Sequence, residues 1–382
     1  MLRTILFWAH FAAGAVAGLF IFLMSATGLI LSYEAQITEA AVRSAVEAPA
    51  GAEPLDADAL IAKLALDGSG AGRTLVLDAD PAVPPELRAG RSSVRLDPYT
   101  GEVLEEAGAG TAAFFRKVTY LHRWLSLSGP SDTGGAINGA ANLVFVFLAA
   151  SGLYLWLPRV MRWSQFRIRL LLRRGLPTAQ ARHFSWHHVF GAWALVPLFV
   201  IALSGVVISY PWASRLVYAA YGETAPAGRG GPGGGALPGD LAGEALTEDR
   251  ALPASALLAA AGTLAPGWKT AAIALPEDGA RYVTVAMDRG NGRQAAKRET
   301  LILDRATGAA LGHSGIEAQS PASRARGWFR FVHTGEVYGL AGQTIGAAAC
   351  LAAMVLVYTG LSLGLRRLGR MRRKAAAGRA AA

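Results

Sequence analysis

Cysteine is almost missing from this chain: Cys350 is the one thiol in 382 residues. A disulfide framework is therefore excluded, as is any group attached through Cys-x-x-Cys-His. The chain also lacks His-Glu-x-x-His, a P-loop, and a dinucleotide fingerprint framed by a strand and a helix, and no hydrolytic constellation is expected. Acidic residues are absent from two stretches rich in arginine. Arg159, Arg162, Arg167, Arg169, Arg173, Arg174 and Arg182 lie between Leu157 and His187 with no acid among them. Arg366, Arg367, Arg370, Arg372, Arg373, Lys374 and Arg379 follow Leu365, again without one.

What is abundant is apolar sequence. The chain is 52% hydrophobic with a formal charge of +10. Four runs have the roughly 20 apolar residues that a bilayer requires: Ile5–Tyr33, Ala136–Leu157, Val189–Tyr210 and Tyr338–Leu365. The first is too long for a signal-peptide core and has no small-x-small cleavage site at its end, so it reads as an uncleaved span. The arginine-rich stretches sit beside spans, where positive charge marks the cytoplasmic side. The charge is thus a topology signal rather than a nucleic-acid patch. Both termini are expected in the cytoplasm, with residues 34–135 and 212–337 outside.

The stretch Trp186–Pro211 nearly copies Trp8–Glu34. His10 and His187, Gly14 and Gly191, Gly28 and Gly205, and Tyr33 and Tyr210 are each offset by 177 residues. The register selects His187 rather than His188 as the partner of His10. Further on, VRLDPYTGEVL (94–104) and LILDRATGAAL (301–311) share a strand, Asp-x-x-Thr-Gly turn and strand. FFRKVTYLHRWLSL (114–127) corresponds to RGWFRFVHTGEVYGL (326–340), each with aromatics and a basic residue before a histidine, His122 or His333. SGLYLWLPR (151–159) and TGLSLGLRR (359–367) close the repeat at an offset of 208.

The chain thus reads as an internal duplication. The fold expected is an integral membrane protein with four transmembrane helices as two tandem two-span repeats, each with an outer α+β domain. The segments are a first span (1–33), an outer domain with an interfacial helix (34–135), a second span (136–158) and a basic loop (159–185). A third span (186–211), a second outer domain (212–337), a fourth span (338–365) and a tail (366–382) follow. Phe114, Val118, Leu121, His122 and Leu125 form one face of the interfacial helix. Strands are expected at Thr74–Leu77, Ser93–Leu96, Glu102–Leu104, Thr270–Leu275, Arg281–Ala286 and Thr300–Leu303, and a helix at Ala251–Ala261. Residues 225–240, with seven glycines, read as a flexible loop.

A histidine in a membrane span is rare and functional by default, although an imidazole can also serve as a helix–helix hydrogen bond. The duplication sets His10 and His187 at one depth and His122 and His333 at another. The 22 residues from His10 to Ser32 cover about 33 Å of helix, too far for one group to bridge both depths. Facing imidazoles in an apolar bundle suit the axial positions of haem iron. Zinc would call for four ligands, and no cysteine or carboxylate completes such a set. Two non-covalent, bis-histidine haems b are expected, with Gly14, Gly18, Gly191 and Ala192 leaving room for the macrocycle. Arg123, Arg326 and Arg330 are candidates for haem propionates or for interfacial snorkelling. His188, about 100° round the helix from His187, is the alternative ligand in its place, and His183 and His313 read as surface residues.

LHRWL (121–125), SGLYLWLPR, WHHVFGAW (186–193), FVHTGEVYGLAGQ (331–343) and the two Asp-x-x-Thr-Gly hairpins resemble the PepSY-associated transmembrane family over nearly the whole chain. Within it the chain looks most like the FoxB-type inner-membrane siderophore reductases. That resemblance implies PepSY-like periplasmic domains and two haems b that reduce a ferric siderophore to release ferrous iron during iron uptake. The electron donor would be a quinol or a separate cytoplasmic reductase. Two other readings stand beside it: a cofactor-free membrane-anchored PepSY module that binds or regulates a protease, and a siderophore permease.

Overall fold

The computed structural model describes residues 1–64, 72–90, 92–105, 107–226 and 246–380, so most of the glycine-rich stretch 225–240 lies outside the described residues. In chain order the helices are α1 (Leu2–Leu31), α2 (Glu34–Arg43), α3 (Ala57–Lys63), α4 (Ala109–Trp124), α5 (Asp132–Trp156) and α6 (Trp163–Leu170). After these come α7 (Ala179–Ser209), α8 (Pro211–Ala220), α9 (Ala254–Leu264), α10 (Pro321–His333) and α11 (Gly339–Ala380). The strands are β1 (Arg73–Asp78), β2 (Glu86–Ala89), β3 (Ser92–Arg95), β4 (Thr270–Ala274), β5 (Tyr282–Asp288), β6 (Arg298–Asp304) and β7 (Ala310–Ser314). They form two compact units, one of residues 1–33, 115–217 and 329–382, the other of residues 34–114 and 218–328.

The first unit is a four-helix bundle. The helices α1, α5, α7 and α11 are each long and apolar enough to cross a membrane. Their outward faces are apolar too: Val16 and Leu19 on α1 and Val196 on α7 are largely exposed. A helix that is hydrophobic all round suits lipid rather than water. α1 packs on α5 and α11, and α7 packs on the same two, which leaves α1 diagonal to α7. Ala17, Ile21 and Ala141 fill one part of the interior, and Ala194, Leu198, Ala349, Ala352 and Ala353 another, with Phe145 against both. α7 starts about ten residues before the apolar run does. Thr178 caps it by accepting from the Ala181 amide at 3.1 Å, so His183, His187 and His188 are all helical. α11 likewise continues as helix through the basic stretch read as a tail.

The second unit holds a single seven-stranded antiparallel sheet in the order β3-β2-β1-β4-β5-β6-β7. An α+β domain was expected in each outer segment; instead the strands of both segments join. β1 pairs with β4, setting Leu75 opposite Ile273, and both are buried in one core with Leu60, Leu257, Val285 and Leu303. β1, β2 and β3 are short, and the four strands from the later segment extend their sheet and complete its core. Asp58 of α3 ties the segments further by accepting from the Ala254 amide of α9 at 2.6 Å. Both Asp-x-x-Thr-Gly turns form. Asp97 accepts from the Tyr99 and Thr100 amides, and Asp304 from those of Ala306 and Thr307. Gly101 and Gly308 follow at φ 75° and 72°, which a side chain would strain. The strand expected at Glu102–Leu104 is only a bridge between Leu96 and Val103, and β2 was not anticipated.

Candidate functional site: four hydroxyl-locked histidines

α4 carries His122 in its last turn and α10 ends in His333, and both helices are pinned to the start of the following span. Leu125 leaves α4 at φ 51°, and Gly134 of α5 then lies against the Trp124 carbonyl so closely that a Cβ there would collide with it. Asn138 adds a hydrogen bond from Nδ2 to the His122 carbonyl at 2.8 Å. After α10, Gly335 turns at φ 75° and its carbonyl meets Gly342 of α11 with the same absence of room for a side chain. These two contacts bring His122 and His333 face to edge, with ring centroids 6.3 Å apart and planes at 61°.

Each of these rings is fixed through Nδ1. His122 Nδ1 lies 2.8 Å from Thr27 Oγ1. The single hydrogen of that hydroxyl is already directed to the Leu23 carbonyl at 2.7 Å, so the imidazole is the donor. His333 Nδ1 donates to the Ile201 carbonyl at 2.9 Å and lies 3.1 Å from Ser204 Oγ, which donates to the same carbonyl at 2.8 Å.

The expected second pair follows the same rule. His10 Nδ1 donates to Ser151 Oγ at 2.8 Å, and that hydroxyl donates to the Phe147 carbonyl at 2.7 Å. His187 Nδ1 donates to Thr359 Oγ1 at 3.0 Å, and that hydroxyl donates to the Val355 carbonyl at 2.7 Å. His10 and His187 stand on the diagonal helices α1 and α7 and lie within electrostatic reach of one another. His10 and Thr27 are 17 residues apart on α1, and His187 and Ser204 are 17 apart on α7, so the two levels are separated by about 25 Å along the bundle.

A neutral imidazole whose Nδ1 carries the proton presents a bare lone pair at Nε2, the state a metal requires. Among the described residues no hydrogen bond to Nε2 of these four rings is seen. With metal–nitrogen bonds of about 2 Å and a ring radius of about 1.1 Å, two imidazoles sharing one metal have centroids roughly 6 Å apart. The His122–His333 separation fits that value. No group of three or more histidine, cysteine or acidic side chains gathers among the described residues.

The remaining candidates fall out as follows. His188 lies beside His187, with ring centroids 6.3 Å apart and planes at 69°, but its Nδ1 donates to the Phe184 carbonyl of its own helix at 2.9 Å and its ring lies on Phe184. His183 is not a surface residue. It is half-buried, with Nδ1 2.8 Å from Ser362 Oγ and its ring edge-on to Tyr358. His313 is half-exposed and bonds Glu299 at 2.9 Å. Arg123 lies over the Trp124 ring at 4.3 Å and Arg330 over Phe331 at 5.9 Å, both within electrostatic reach of His333. Arg326 precedes His333 by two turns of α10 and falls in the sheet unit. Gly14 and Gly191 face Leu148 and Leu356 at ordinary contact distance rather than open space. The glycines that admit the rings are others: a Cβ on Gly152 would stand 3.4 Å from His10, on Gly360 3.1 Å from His187, and on Gly28 3.5 Å from His122. Phe114 is exposed, and Phe115 is buried in its place. Gly360–Gly364 spells Gly-x-Ser-x-Gly, but Ser362 lies inside α11, without the strand-to-helix turn that would expose a nucleophile.

The model of the PepSY-associated TM region matches residues 7–367. The chain belongs to this family. The match takes in most of the first and last spanning helices, the whole of the other two, all four hydroxyl-locked histidines and the whole sheet. The family thus shown is that of a multi-pass membrane protein with a PepSY-associated antiparallel sheet region. No curated protein matches the chain.

Proposed function

We propose that this PepSY-associated protein is a haem b electron carrier of a bacterial cytoplasmic membrane that reduces ferric siderophore on the periplasmic side. The observation that carries the reading is the contact shared at repeat-related positions: four imidazoles bring Nδ1 to a hydroxyl or carbonyl of a span, and no hydrogen bond to Nε2 is seen among the described residues. His183 also meets a hydroxyl of a neighbouring span through Nδ1, so it is the repeat position that sets these four apart.

The tandem repeat accounts for this regularity. Offsets of 177 and 208 carry His10 and Ser151 onto His187 and Thr359. Thr27 goes onto Ser204 by 177, and His122 onto His333 by 211. In this reading the termini and the loop 159–185 are cytoplasmic, and residues 34–135 and 212–337 are periplasmic. His10 and His187 hold one haem near the cytoplasmic side, and His122 and His333 hold the other near the periplasm.

Bound haem supplies one-electron redox chemistry. The chain's own contribution is positional. Thr27, Ser151 and Thr359 hold the imidazoles in the ligating tautomer, and Ser204 with the Ile201 carbonyl does so for His333. Between the two levels, Ile21, Phe145, Leu198 and the alanines of α11 exclude water. Arg123 and Arg330 offer positive charge beside His333 for a carboxylate. Ferric iron prefers the hard oxygen ligands of a siderophore, so its reduction loosens the complex and releases ferrous iron. Without a framed dinucleotide fingerprint, the electrons come from a quinol or a separate cytoplasmic reductase.

A pyridine haemochrome assay on detergent-purified protein, expressed with ample haem, tests this. About two haems b per chain are expected, low-spin in both oxidation states. A colourless preparation sinks the reading and leaves the PepSY sheet as a cofactor-free binding module.

A further inference from the structure

The last carbonyls of α5 are occupied in an unusual way. Arg3 Nη2 donates to the Leu155 and Leu157 carbonyls at 2.5 and 2.8 Å, and Arg169 Nη1 donates to the Trp156 carbonyl between them. Capping a helix C-terminus with a cation is favourable, but one guanidinium would suffice. Here two are drawn together until each lies in the other's field, and His188 feels both. Arg169 is not a loosely placed loop residue. α6 is tethered by Phe166 against Trp156 at 5.8 Å and by Trp193 Nε1 donating to the Leu170 carbonyl at 2.9 Å.

Two features remain unexplained by capping. Arg169 Nε is buried without a hydrogen-bond partner, a costly state for a charged donor. Nor is there a protein carboxylate to neutralise the pair: residues 1–33, 133–222 and 337–382 contain no Asp or Glu. An anion from outside the chain is the missing partner. Arg3 precedes His10 by seven residues on α1, two turns or about 10 Å on the same face. That is about the reach of a porphyrin from its iron to its carboxylates.

We propose that Arg3 and Arg169 form a carboxylate site that holds the propionates of the haem ligated by His10 and His187. This rests on the haem reading above. The two arginines are positioning residues: they would orient the macrocycle and raise its potential, since positive charge disfavours the ferric state.

The test titrates full-length apo-protein in nanodiscs with haem b and with haem dimethyl ester, comparing wild type with Arg3→Gln/Arg169→Gln. In wild type both haem equivalents are expected to bind the free acid more tightly than the ester, a comparison that needs no substitution. In the double variant one equivalent should lose affinity about tenfold or more, lose its preference for the free acid and show a lower midpoint potential. The second equivalent should be unchanged. If the double variant keeps both affinities, both potentials and the preference, the proposal is overturned while the haem reading stands. It is equally overturned if the variant instead loses co-purifying anionic phospholipid with its haem properties intact, for then the arginines hold a lipid phosphate. A wild type that takes up no haem removes both readings together.

Discussion

His187 Nδ1 donates to Thr359 Oγ1 at 3.0 Å while that hydroxyl passes its own hydrogen to the Val355 carbonyl at 2.7 Å. With its hydrogen so directed, the threonine accepts from the ring and favours the tautomer protonated at Nδ1. Outer-shell partners of this kind typically contribute 10–100-fold to metal affinity. Thr359→Val keeps the volume and removes the acceptor, so haem at the His10–His187 level should bind about 10–100-fold more weakly. Thr359→Ser, which restores a hydroxyl, should recover most of it. Haem titration of the two variants measures the difference. Equal affinities would mean that Thr359 is only a packing residue.

The contact between Gly134 and the Trp124 carbonyl separates position from mere helical propensity. Alanine at 134 improves helix propensity but drives a methyl group into that carbonyl, so α4 must lift from α5 and carry His122 with it. Gly134→Ala should lower thermal stability and deplete the haem expected at His122. Gly14→Ala is the control, because its nearest neighbour, Leu148, would stand 3.9 Å away, and it should be neutral or mildly stabilising. Melting curves and haem content of the two variants check this; equivalent behaviour would show that the Gly134 contact does not position α4.

The spans and the histidine register were legible from the sequence, and the reasons are local. Lipid on every side makes a spanning helix apolar all round, and the offset of 177 between His10 and His187 is read directly from the residues. Which hydroxyl each ring would find was not legible. Ser151 and Thr359 stand in repeated motifs, yet nothing in SGLYLWLPR or TGLSLGLRR says that the serine or threonine meets an imidazole on a neighbouring helix. The single sheet was hidden for a similar reason. Pairing Leu75 with Ile273 joins residues nearly two hundred positions apart, across the second and third spans. Each outer segment alone shows only short strands with a turn. β2, four residues in which Glu86 pairs with Arg88, carries too little alternation to announce itself.

In the sheet unit, Arg305 is buried and Glu248 meets it at 3.1 and 2.7 Å. The Arg305 hydrogen bond holds the Glu248 carboxyl below its ordinary value. A depressed folded-state pKa gives stability that is fully present above the unfolded value, about 4.3, and is lost as pH falls through the folded value. Glu248→Gln should therefore melt earlier than wild type at pH 7, and the gap should close as the pH is taken below about 4. Because Glu248 is largely exposed, the gap at pH 7 should be small. A gap that persists unchanged into acid would mean that the pair contributes through packing rather than charge.

The two histidine levels make the sharpest prediction, because depth alone fixes which variants behave alike. His10 and Thr27 stand 17 residues apart on one continuous helix, and Thr27 is the hydroxyl that holds His122. One macrocycle cannot be ligated at both levels across about 25 Å of helix. His122→Ala and His333→Ala should therefore each remove the same haem, leave the other spectroscopically intact, and abolish reduction of ferric siderophore. His10→Ala and His187→Ala should remove the other haem and block electron entry from the cytoplasmic side, while dithionite still reduces the haem between His122 and His333. His188→Ala should leave both haems bound, since His188 is turned onto Phe184. Haem counts and absorption spectra of the five variants decide the pattern. If His10→Ala and His122→Ala lost the same haem, ligands would have to pair between levels. That in turn would require α1 to break between His10 and Thr27, where the helix is continuous.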